Sequence, residues 1–449
     1  MISVFLQVIS QVVNGRLIGM DIQVCNIAID TRKITNQCMF IALKGKKIDA
    51  HNFAIDALES GAVALLVSQY LPINIPQVVV SDTRIALGLL GAWVRQQISA
   101  RIIALTGSSG KTSVKEISAT ILKNCGNVLY TEGNYNNDIG VPLTLSLLQH
   151  KHEFAVIELG ASHIGDIAYT SNLVKPDSVL INNLAAAHLD GLGSLLGVSR
   201  AKGEIFNNLS SDSTIIINAD SNDWLHWCKK VTYQRVWRFS LQENTSADFF
   251  ADDIHITQQG TQFKLHTPFG NITIVLSLPG YHNIANVLAA AALTMSVGAK
   301  LENVYQGLCL LKAIPGRLFP ILLNKHQLII DDTYNANVGS MIAAIQVLST
   351  KRGYRIMVVG EMEELGIAGA AYHCQVGMFA RKAGIDKVFS VGGLSYLISK
   401  ESGCGEHFQN KASLIERLKK LLREYIEITI LVKGSRNTAM EQVVRDLST

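Results

Sequence analysis

Residues 102–113 read Ile-Ile-Ala-Leu-Thr-Gly-Ser-Ser-Gly-Lys-Thr-Ser and combine three kinds of local structure. The apolar run Ile102–Leu105 predicts a buried parallel strand, and the small residues after it predict a tight loop. A helix-compatible stretch, Val114–Lys123, follows. A strand, a tight loop and a helix in this order direct backbone N–H groups and a helix N-terminus at one point, which suits a polyphosphate. The stretch therefore predicts an α/β fold that binds a nucleoside triphosphate.

Residues of this loop have separate predicted roles. Gly107 and Gly110 allow the backbone to approach a phosphate closely. Lys111 supplies a compact positive charge, and the Thr112 hydroxyl can reach a magnesium ion. Leu105 stands where the usual P-loop has glycine, so the loop is the short form of the motif. The alternative to a phosphate-binding loop is a Gly-Lys-Thr sequence that occurs by chance in a turn. The predicted nucleotide-binding residues of the loop are Gly107, Ser108, Ser109, Gly110, Lys111, Thr112 and Ser113.

Composition restricts the class of protein. A length of 449 residues suggests about three domains. The net charge of +4 is small and forms no basic tail, so we expect no nucleic-acid partner. Seven scattered cysteines without a CxxC pair predict reduced thiols in a cytoplasmic protein. Met1–Val13 resembles a packed helix rather than a signal peptide, and Val287–Met295 is too short to span a bilayer, so we expect no stable membrane insertion.

The chain divides by pattern into three predicted α/β domains. Residues 1–82 predict a small mixed α/β domain, and residues 83–314 predict a central P-loop ATPase-like parallel sheet with an antiparallel insertion at Asp248–Leu276. Pro315-Gly316 is a plausible hinge, after which residues 315–449 predict a Rossmann-like domain. The apolar runs that predict strands include Cys38–Leu43, Ala62–Val67, Gln77–Val80, Phe154–Leu159, Val179–Ile181, Thr214–Ile217, Leu328–Asp331, Ile356–Gly360, Val388–Val391 and Ile428–Val432.

Polar residues follow several of these strands, at the edge where open α/β sheets bind ligands. Glu158 can hold magnesium beside the loop threonine, although a capping or solvent-facing glutamate is the alternative. His188 follows the run Val179–Asn182 and can bind metal or orient a phosphate, although a lone histidine is more often structural. Asp331–Asn337 and Lys433–Arg436 end strands of the third region in the same way. Their common placement predicts a cleft between domains.

Other candidates carry weaker signals. The amide-rich stretch Asn134–Pro142 can present donors and acceptors to a sugar or nucleotide, or be turn chemistry alone. Asn283 stands at the predicted start of a helix, where an asparagine commonly serves only as the N-cap. Arg317, just after the hinge, can reach back to a triphosphate. Lys202 on a predicted helix would ordinarily be a solvated lysine.

Taken together, the motifs of the chain resemble those of the Mur ligases, the ATP-dependent amide-bond-forming enzymes of peptidoglycan precursor synthesis. The resemblance covers essentially the whole chain, and it is strongest to the branch that adds a dipeptide. The motifs that carry it are Asp30–Arg32, Phe40–Gly45, Asp49–Phe53, Thr106–Thr112, Gly133–Pro142, Glu158–Ala161, Ala187–Leu189, Ala201–Ile205, Gly280–Asn286, Pro315–Leu318, Asp331–Asn337, Gly360–Gly366 and Val432–Arg436.

The resemblance implies a three-domain ligase that uses ATP and two magnesium ions. It implies UDP-N-acetylmuramoyl-tripeptide as the acceptor, D-alanyl-D-alanine as the incoming amine and an acyl phosphate as the intermediate. It also implies a carbamylated lysine at Lys202, and we expect a monomer. The implied residues are, as catalytic groups, Lys111, Glu158, His188 and Lys202; as metal ligands, Thr112, Glu158, His188 and Lys202; as further nucleotide ligands, Asn283, Arg317 and Asp332; and as substrate ligands, Thr31, Arg32, Asn134, Asn137, Asn335, Lys433 and Ser435.

Two alternatives remain at this point. A sister ligase, which adds a diamino acid to a shorter precursor or glutamate to folate, would share the phosphate loop and Lys202. The motif Asp331–Asn337 argues against it. A nucleotide-dependent switch or transport ATPase would share only the loop and would not need a domain that binds a sugar nucleotide.

Overall fold

The computed structural model describes residues 1–221, 224–231, 234–242, 246–257 and 260–448. In these residues the chain forms three larger sheets and one two-stranded ribbon, which pairs Val4–Phe5 with Gln23–Val24. The expected α/β fold class is confirmed. Among the described residues, no helix combines the length and the apolar character that crossing a bilayer requires.

The first sheet belongs to the N-terminal region and is mixed. All neighbouring strands are parallel except the pair Arg16–Ile18 and Gln77–Val79. The helices of this region are Leu6–Val12 and Ala54–Glu59, with single 3₁₀ turns at Thr31–Lys33 and Ala50–Phe53. In spatial order the strands of the sheet are Arg16–Ile18, Gln77–Val79, Ala62–Val67, Cys38–Ile41 and Asn26–Ala28.

The central sheet has nine strands in the described residues, and its middle is parallel. The predicted insertion extends the edge of this sheet: Phe249–Thr257 joins it in parallel, and the next two strands are antiparallel. Residues 258 and 259 of the insertion lie outside the described residues. In spatial order the strands are Gly270–Leu276, Gly260–Thr267, Phe249–Thr257, Arg235–Ser240, Thr214–Asn218, Ser178–Ile181, Arg101–Thr106, Phe154–Glu158 and Val128–Tyr130.

Helices cover both faces of the central sheet, which explains the unbroken apolar run before the phosphate loop. Ile102 and Ala104 face one core, and Ile103 and Leu105 face the other. The helices are Thr83–Gln96, Lys111–Leu122, Gly140–Ser146, Asp166–Val174, Leu189–Leu192, Leu195–Gly203, Trp224–Lys230, Tyr281–Ser296 and Leu301–Cys309, with a 3₁₀ turn at Glu204–Phe206.

The third sheet is parallel apart from the strand Phe319–Leu322 at one edge. Its helices are Val338–Ser349, Gly369–Lys382, Tyr396–Ser402, Lys411–Glu424 and Glu441–Ser448, and its 3₁₀ turns are Gly366–Ala368, Gly393–Ser395 and Arg436–Thr438. In spatial order the strands are Phe319–Leu322, Gln327–Asp332, Ile428–Lys433, Tyr354–Val359, Lys387–Val391 and Gly405–Phe408.

The cores show how independent the three regions are. Leu6 and Ile9 of the first region pack in the same core as Leu87 and Ile102 of the central region. The third sheet instead has its own core on each face, formed by residues from Leu318 onward. The first two regions therefore share one apolar core, whereas the third region has cores of its own and packs Tyr372 against the shared one. The domain boundaries at 82/83 and 314/315 stay a prediction.

Candidate active site

The phosphate loop connects the strand Arg101–Thr106 to the helix Lys111–Leu122. The helix begins at Lys111, three residues earlier than predicted, because Gly110 in the left-handed region (φ 75°) forms its N-cap. A Cβ at residue 110 would lie 2.5 Å from Asn182 Nδ2 and 2.6 Å from Asn286 Oδ1. Glycine is therefore required at residue 110 for conformation and for space.

Two asparagines brace the loop from the neighbouring strand end. The Asn183 carboxamide accepts from the Ser109 N–H (2.8 Å) and donates to the Ser109 carbonyl (3.1 Å). Asn182 Nδ2 donates to the same carbonyl (3.1 Å) and to Asn286 Oδ1 (3.1 Å). Together with the bond from the Ser108 N–H to the Asn183 carbonyl (3.0 Å), these contacts fix the backbone of the loop against the neighbouring strand end.

Lys111 and Thr112 lie at the start of the helix and face the carboxyl edge of the sheet. Lys111 Nζ donates to the Gly107 carbonyl (2.8 Å), and burial lowers the pKa of Lys111, an effect that the nearby Glu158 carboxylate opposes. The Thr112 hydroxyl donates to Glu158 Oε2 (3.1 Å) and accepts from Arg317 Nη2 (2.6 Å). Thr112 thus connects the phosphate loop with the neighbouring strand Phe154–Glu158 and with Arg317 of the third region.

Glu158 is the last residue of the strand Phe154–Glu158 and is only 2% exposed. Its second carboxylate oxygen accepts from Asn136 Nδ2 (2.8 Å), so both oxygens are oriented. A buried carboxylate beside a threonine hydroxyl and a phosphate loop is the oxygen set that magnesium prefers when phosphates complete its coordination. These residues fit one magnesium ion.

His188 follows the strand Ser178–Ile181 and lines the cleft between the central and third regions. Its Nδ1 pairs with the carboxylate of Glu364, a residue of the third region, and this contact lowers the pKa of Glu364. Both residues have left-handed backbones (φ 53° and 61°), which are uncommon outside glycine and concentrate at functional sites.

Lys202 lies on the helix Leu195–Gly203 and is 1% exposed, so it is not a solvated lysine. Burial and, secondarily, the charge of Lys111 lower its pKa well below the ordinary value. An ammonium or amine does not fit a magnesium site by itself. Among the described residues, no group of three or more histidine, cysteine, aspartate or glutamate side chains could hold a metal ion.

The third region contributes a linked set of polar groups. Lys433 Nζ donates to Asp332 Oδ2 (2.7 Å) and to the Asn335 carbonyl (2.9 Å). Burial raises the pKa of Asp332, although Lys433 acts in the opposite direction. The Arg317 guanidinium lies 4.2 Å from the centre of the Tyr334 ring. This stacking and the bond to Thr112 direct the guanidinium of Arg317 at the phosphate loop.

Asn283 is not the cap of its helix. The helix Tyr281–Ser296 begins two residues earlier, with Gly280 as its N-cap. Asn283 Nδ2 donates to the Pro279 carbonyl (2.7 Å), and its Oδ1 accepts from Asn286 Nδ2 (3.2 Å). The side chain therefore stabilises the approach to the helix at the wall of the cleft.

Between the central and third regions lies a cleft of about 770 Å³. It brings together most of the predicted site residues, namely Ser108, Ser109, Gly110, Lys111, Thr112, Ser113, Asn134, Asn137, Glu158, His188, Asn283, Arg317, Asp332, Asn335 and Lys433.

Five predicted site residues do not line this cleft: Gly107, Lys202, Thr31, Arg32 and Ser435. Arg32 pairs with Asp30 (2.7 Å) on the surface and lowers the pKa of Asp30 to about 2. The neighbouring Lys33 donates to the Tyr135 hydroxyl (2.8 Å), so this turn contacts the loop that carries Asn134. Ser435 Oγ accepts from the Glu363 N–H (2.9 Å) inside the third region.

Comparison with known proteins agrees with this geometry. The model of the Mur ligase middle domain matches residues 105–294, and that of the Mur ligase glutamate ligase domain matches residues 316–436. The chain belongs to the Mur ligase family. A relative from Escherichia coli (strain K12), named UDP-N-acetylmuramoyl-tripeptide–D-alanyl-D-alanine ligase, is 58% identical over 447 residues. The alignment covers 100% of this chain and 99% of the relative.

Solved structures of Mur ligases superpose closely on this one. A crystal structure of MurF from Acinetobacter baumannii has a TM-score of 0.93 at 35% identity, with 98% of each chain covered. MurF from Thermotoga maritima in complex with ADP has a TM-score of 0.84 at 26% identity, covering 94% of this chain and 97% of that one. The expected family and the expected class of ATP-dependent ligase are therefore confirmed.

Several residues of this Mur ligase site were not assigned a role from the sequence. Asn182, Asn183 and Asn286 hold the loop, and Asn136 orients Glu158. Glu364 reaches His188 from the third region. The two asparagines before His188 were visible as a polar pair at a strand end. Asn286 and Glu364 lie in two of the motifs that carry the family resemblance, Gly280–Asn286 and Gly360–Gly366, but nothing local in the sequence shows that they contact Gly110 and His188.

Proposed function

We propose that this chain uses ATP to join D-alanyl-D-alanine to UDP-N-acetylmuramoyl-tripeptide, releasing ADP and phosphate, in peptidoglycan synthesis. The observation that carries the proposal is the shared cleft. The phosphate loop of the central region lines this cleft together with Arg317 and Asp332 of the third region, and Arg317 contacts Thr112 across it. The whole chain is also 58% identical to a relative named UDP-N-acetylmuramoyl-tripeptide–D-alanyl-D-alanine ligase.

The first chemical step is transfer of the ATP γ-phosphoryl group to the acceptor carboxylate. Lys111 and the loop amides stabilise the negative charge on the phosphate oxygens as the bond to ADP breaks. Arg317, stacked on Tyr334, adds a guanidinium from the opposite wall. Asp332 and Asn283 are proposed to hold the rest of the nucleotide.

In the second step the dipeptide amine attacks the acyl phosphate. A C–N bond forms, the C–O bond to phosphate breaks, and the amine loses a proton. Water would hydrolyse the same intermediate, so the contacts between the third region and the loop also serve to exclude it. Asn337 Nδ2 donates to the Ser108 carbonyl (3.0 Å), which closes the cleft at this point.

The proposed substrate contacts come from two parts of the chain. Thr31, Arg32, Asn134 and Asn137 are proposed to bind the UDP end of the acceptor, because the contact of Lys33 with Tyr135 brings their two loops together. Asn335, Lys433 and Ser435, at strand ends of the third sheet, are proposed to bind the dipeptide.

Thr112 and Glu158 are proposed to hold one magnesium ion, as their adjoining oxygens permit. Bound there, the ion would neutralise charge on the phosphates during transfer. His188 is proposed to lie beside a second magnesium ion, which would need a further anionic ligand. Hydrogen bonds from Thr112 and Asn136 hold the Glu158 carboxylate in a fixed orientation for the first ion.

Lys202 is proposed to supply that anion after carbamylation. Its lowered pKa favours the neutral amine, the form whose nitrogen attacks carbon dioxide, forming an N–C bond and losing a proton to give a carbamate. Carbon-13 NMR of the protein under labelled bicarbonate should show a carbamate signal that Lys202→Ala abolishes. An unchanged signal in the variant would refute the assignment.

Product mass spectrometry tests the ligase proposal. Purified protein with ATP, magnesium, UDP-N-acetylmuramoyl-tripeptide and D-alanyl-D-alanine should yield the UDP-muramoyl pentapeptide, and phosphate release should require both substrates. Release of phosphate without them would instead indicate a switch or transport ATPase. Product only with a single amino acid and a shorter precursor would indicate a sister ligase.

We also propose a cytoplasmic monomer without a nucleic-acid partner or stable membrane insertion. All seven cysteines are free, which suits a reducing compartment. Sedimentation at several protein concentrations tests the monomer.

A further inference from the structure

Lys115 is a buried lysine that the proposed mechanism does not use. It lies on the helix Lys111–Leu122, three and four residues after Thr112 and Lys111, and therefore on the same helical face one turn deeper. Its side chain is 1% exposed, and it is among the largest fully buried side chains of the chain.

The ammonium of Lys115 has specific partners. Lys115 Nζ donates to the Thr131 carbonyl (2.7 Å) and pairs with Glu116 Oε1 (3.0 Å). It also lies 5.8 Å from the centre of the Tyr130 ring. Burying a charge is costly even when it is paired, and an apolar side chain of similar volume would fill the space at lower cost. The charge at this position therefore points to a role other than filling the core.

The partner of Lys115 leads directly to Glu158. Thr131 is fully buried, and its N–H donates to the Val156 carbonyl (3.0 Å) on the neighbouring strand. The Thr131 hydroxyl accepts from the Glu158 N–H (3.0 Å). The series of hydrogen bonds from Lys115 through Thr131 thus holds the backbone of Glu158. Thr112 and Asn136 separately orient the Glu158 carboxylate.

We propose that Lys115 is a positioning residue that acts through Thr131 to hold the Glu158 carboxylate where it can bind a divalent cation. The inference rests on the proposed function, because that proposal assigns Glu158 to the cation. Partners behind a metal ligand commonly change metal affinity by about 10- to 100-fold when they are removed. Lys115 and Thr131 are expected to act in this way without contacting the ion.

Manganese binding tests this role independently of catalysis. Mn²⁺ is titrated into the full-length protein with saturating ADP, and free Mn²⁺ is followed by electron paramagnetic resonance. Lys115→Met and Thr131→Val should each weaken Mn²⁺ binding about tenfold. Thr131→Ser, which keeps the hydroxyl, should bind Mn²⁺ as the wild type does.

Lys123→Met is the matched control. Lys123 follows the same helix and lies over the same Tyr130 ring at 4.6 Å, but it has no bond to Thr131. Its loss should leave Mn²⁺ binding unchanged. Because a buried lysine can also affect folding, the stability of each variant is measured by urea unfolding. If Lys115→Met does not fold, comparison of Thr131→Val with Thr131→Ser still tests the contact between Thr131 and Glu158.

Glu158→Gln separates the two proposals. If Glu158→Gln weakens Mn²⁺ binding but Lys115→Met and Thr131→Val do not, the positioning role is overturned and the proposed function stands. If Glu158→Gln binds Mn²⁺ like the wild type, the assignment of Glu158 fails and the positioning role fails with it.

Discussion

Lys111 is the side chain on which the proposed phosphoryl transfer should depend most directly. Its loss in Lys111→Ala should lower the ligation rate a hundredfold or more, because a charge contact of this kind stabilises a transition state by about 3–4 kcal/mol. Steady-state ligation measures the rate, and circular dichroism checks the fold. Lys123→Ala, at the exposed far end of the same helix, is the control and should retain activity. Near-normal turnover in a folded Lys111→Ala protein would contradict the assignment of the loop.

His282 gives stability a defined pH dependence. Burial and, to a lesser extent, Lys433 lower its pKa from 6.5 to about 4, so the folded protein keeps the imidazole neutral. The unfolded chain binds the proton first as the pH falls, so this contribution to stability is complete above about pH 6.5 and is lost between 6.5 and 4. The loss is on the order of 2–3 kcal/mol.

Urea unfolding of the wild type and of His282→Gln at intervals from pH 4.5 to 7.5 measures this effect. The free energy of unfolding of the variant should fall less steeply with decreasing pH. His326→Gln, which changes an exposed histidine, should follow the wild type. Parallel curves for wild type and His282→Gln would show that His282 titrates normally in the folded state.

Among the elements, the turn between the strand Arg101–Thr106 and the helix Lys111–Leu122 depends on a glycine at residue 110. Gly110→Ala places a Cβ against Asn182 and Asn286 at a left-handed position, so it should destabilise the fold and abolish ADP binding. Gly403→Ala is a close control, because Gly403 caps the helix Tyr396–Ser402 with almost the same backbone (φ 73°, ψ −4°). The atoms nearest to its Cβ would be those of Arg381, at 3.5 Å or more.

The difference between these two variants isolates the steric part of the effect. Gly403→Ala should lose about 1–2 kcal/mol of stability from backbone strain alone and should bind ADP normally. Gly110→Ala should lose more than this. Calorimetric titration with ADP and urea unfolding supply both measurements. Equal losses would mean that the loop adapts to the added methyl group.

For the molecule as a whole, the third region is expected to move as a body. It has its own cores, and side-chain contacts across the cleft include Arg317 with Thr112, Asn337 with Ser108 and His188 with Glu364. Interdomain surfaces of this kind usually permit motion. ATP analogue and acceptor together should therefore reduce the radius of gyration in small-angle X-ray scattering.

Arg317→Ala supplies the matching functional test of closure. It removes a group that contacts the loop only across the cleft, so it should reduce ligation more than it reduces acceptor binding. A protein that is equally compact with and without ligands would contradict the closure mechanism.

The phosphate loop, the alternation of strands and helices in three α/β regions, and the polar residues at strand ends could all be predicted from the order of residues. These are encoded locally: an apolar run, a glycine that tolerates a left-handed turn, and a helix in sequence are sufficient to position Lys111 and Thr112. Because parallel strands end at one edge, the placement of Glu158 beside Thr112 also follows from the strand pattern.

The distant side chains that support the site became visible once the chain was folded. Asn286 against Gly110, Arg317 on Thr112 and Glu364 on His188 join residues far apart in sequence, so no local period reveals them. The burial of Lys202 and Lys115 was equally hidden, since a lysine on a helix is usually solvated and its environment depends on how the helix packs. Packing across sheets and regions, not the residue types, made these lysines part of the interior.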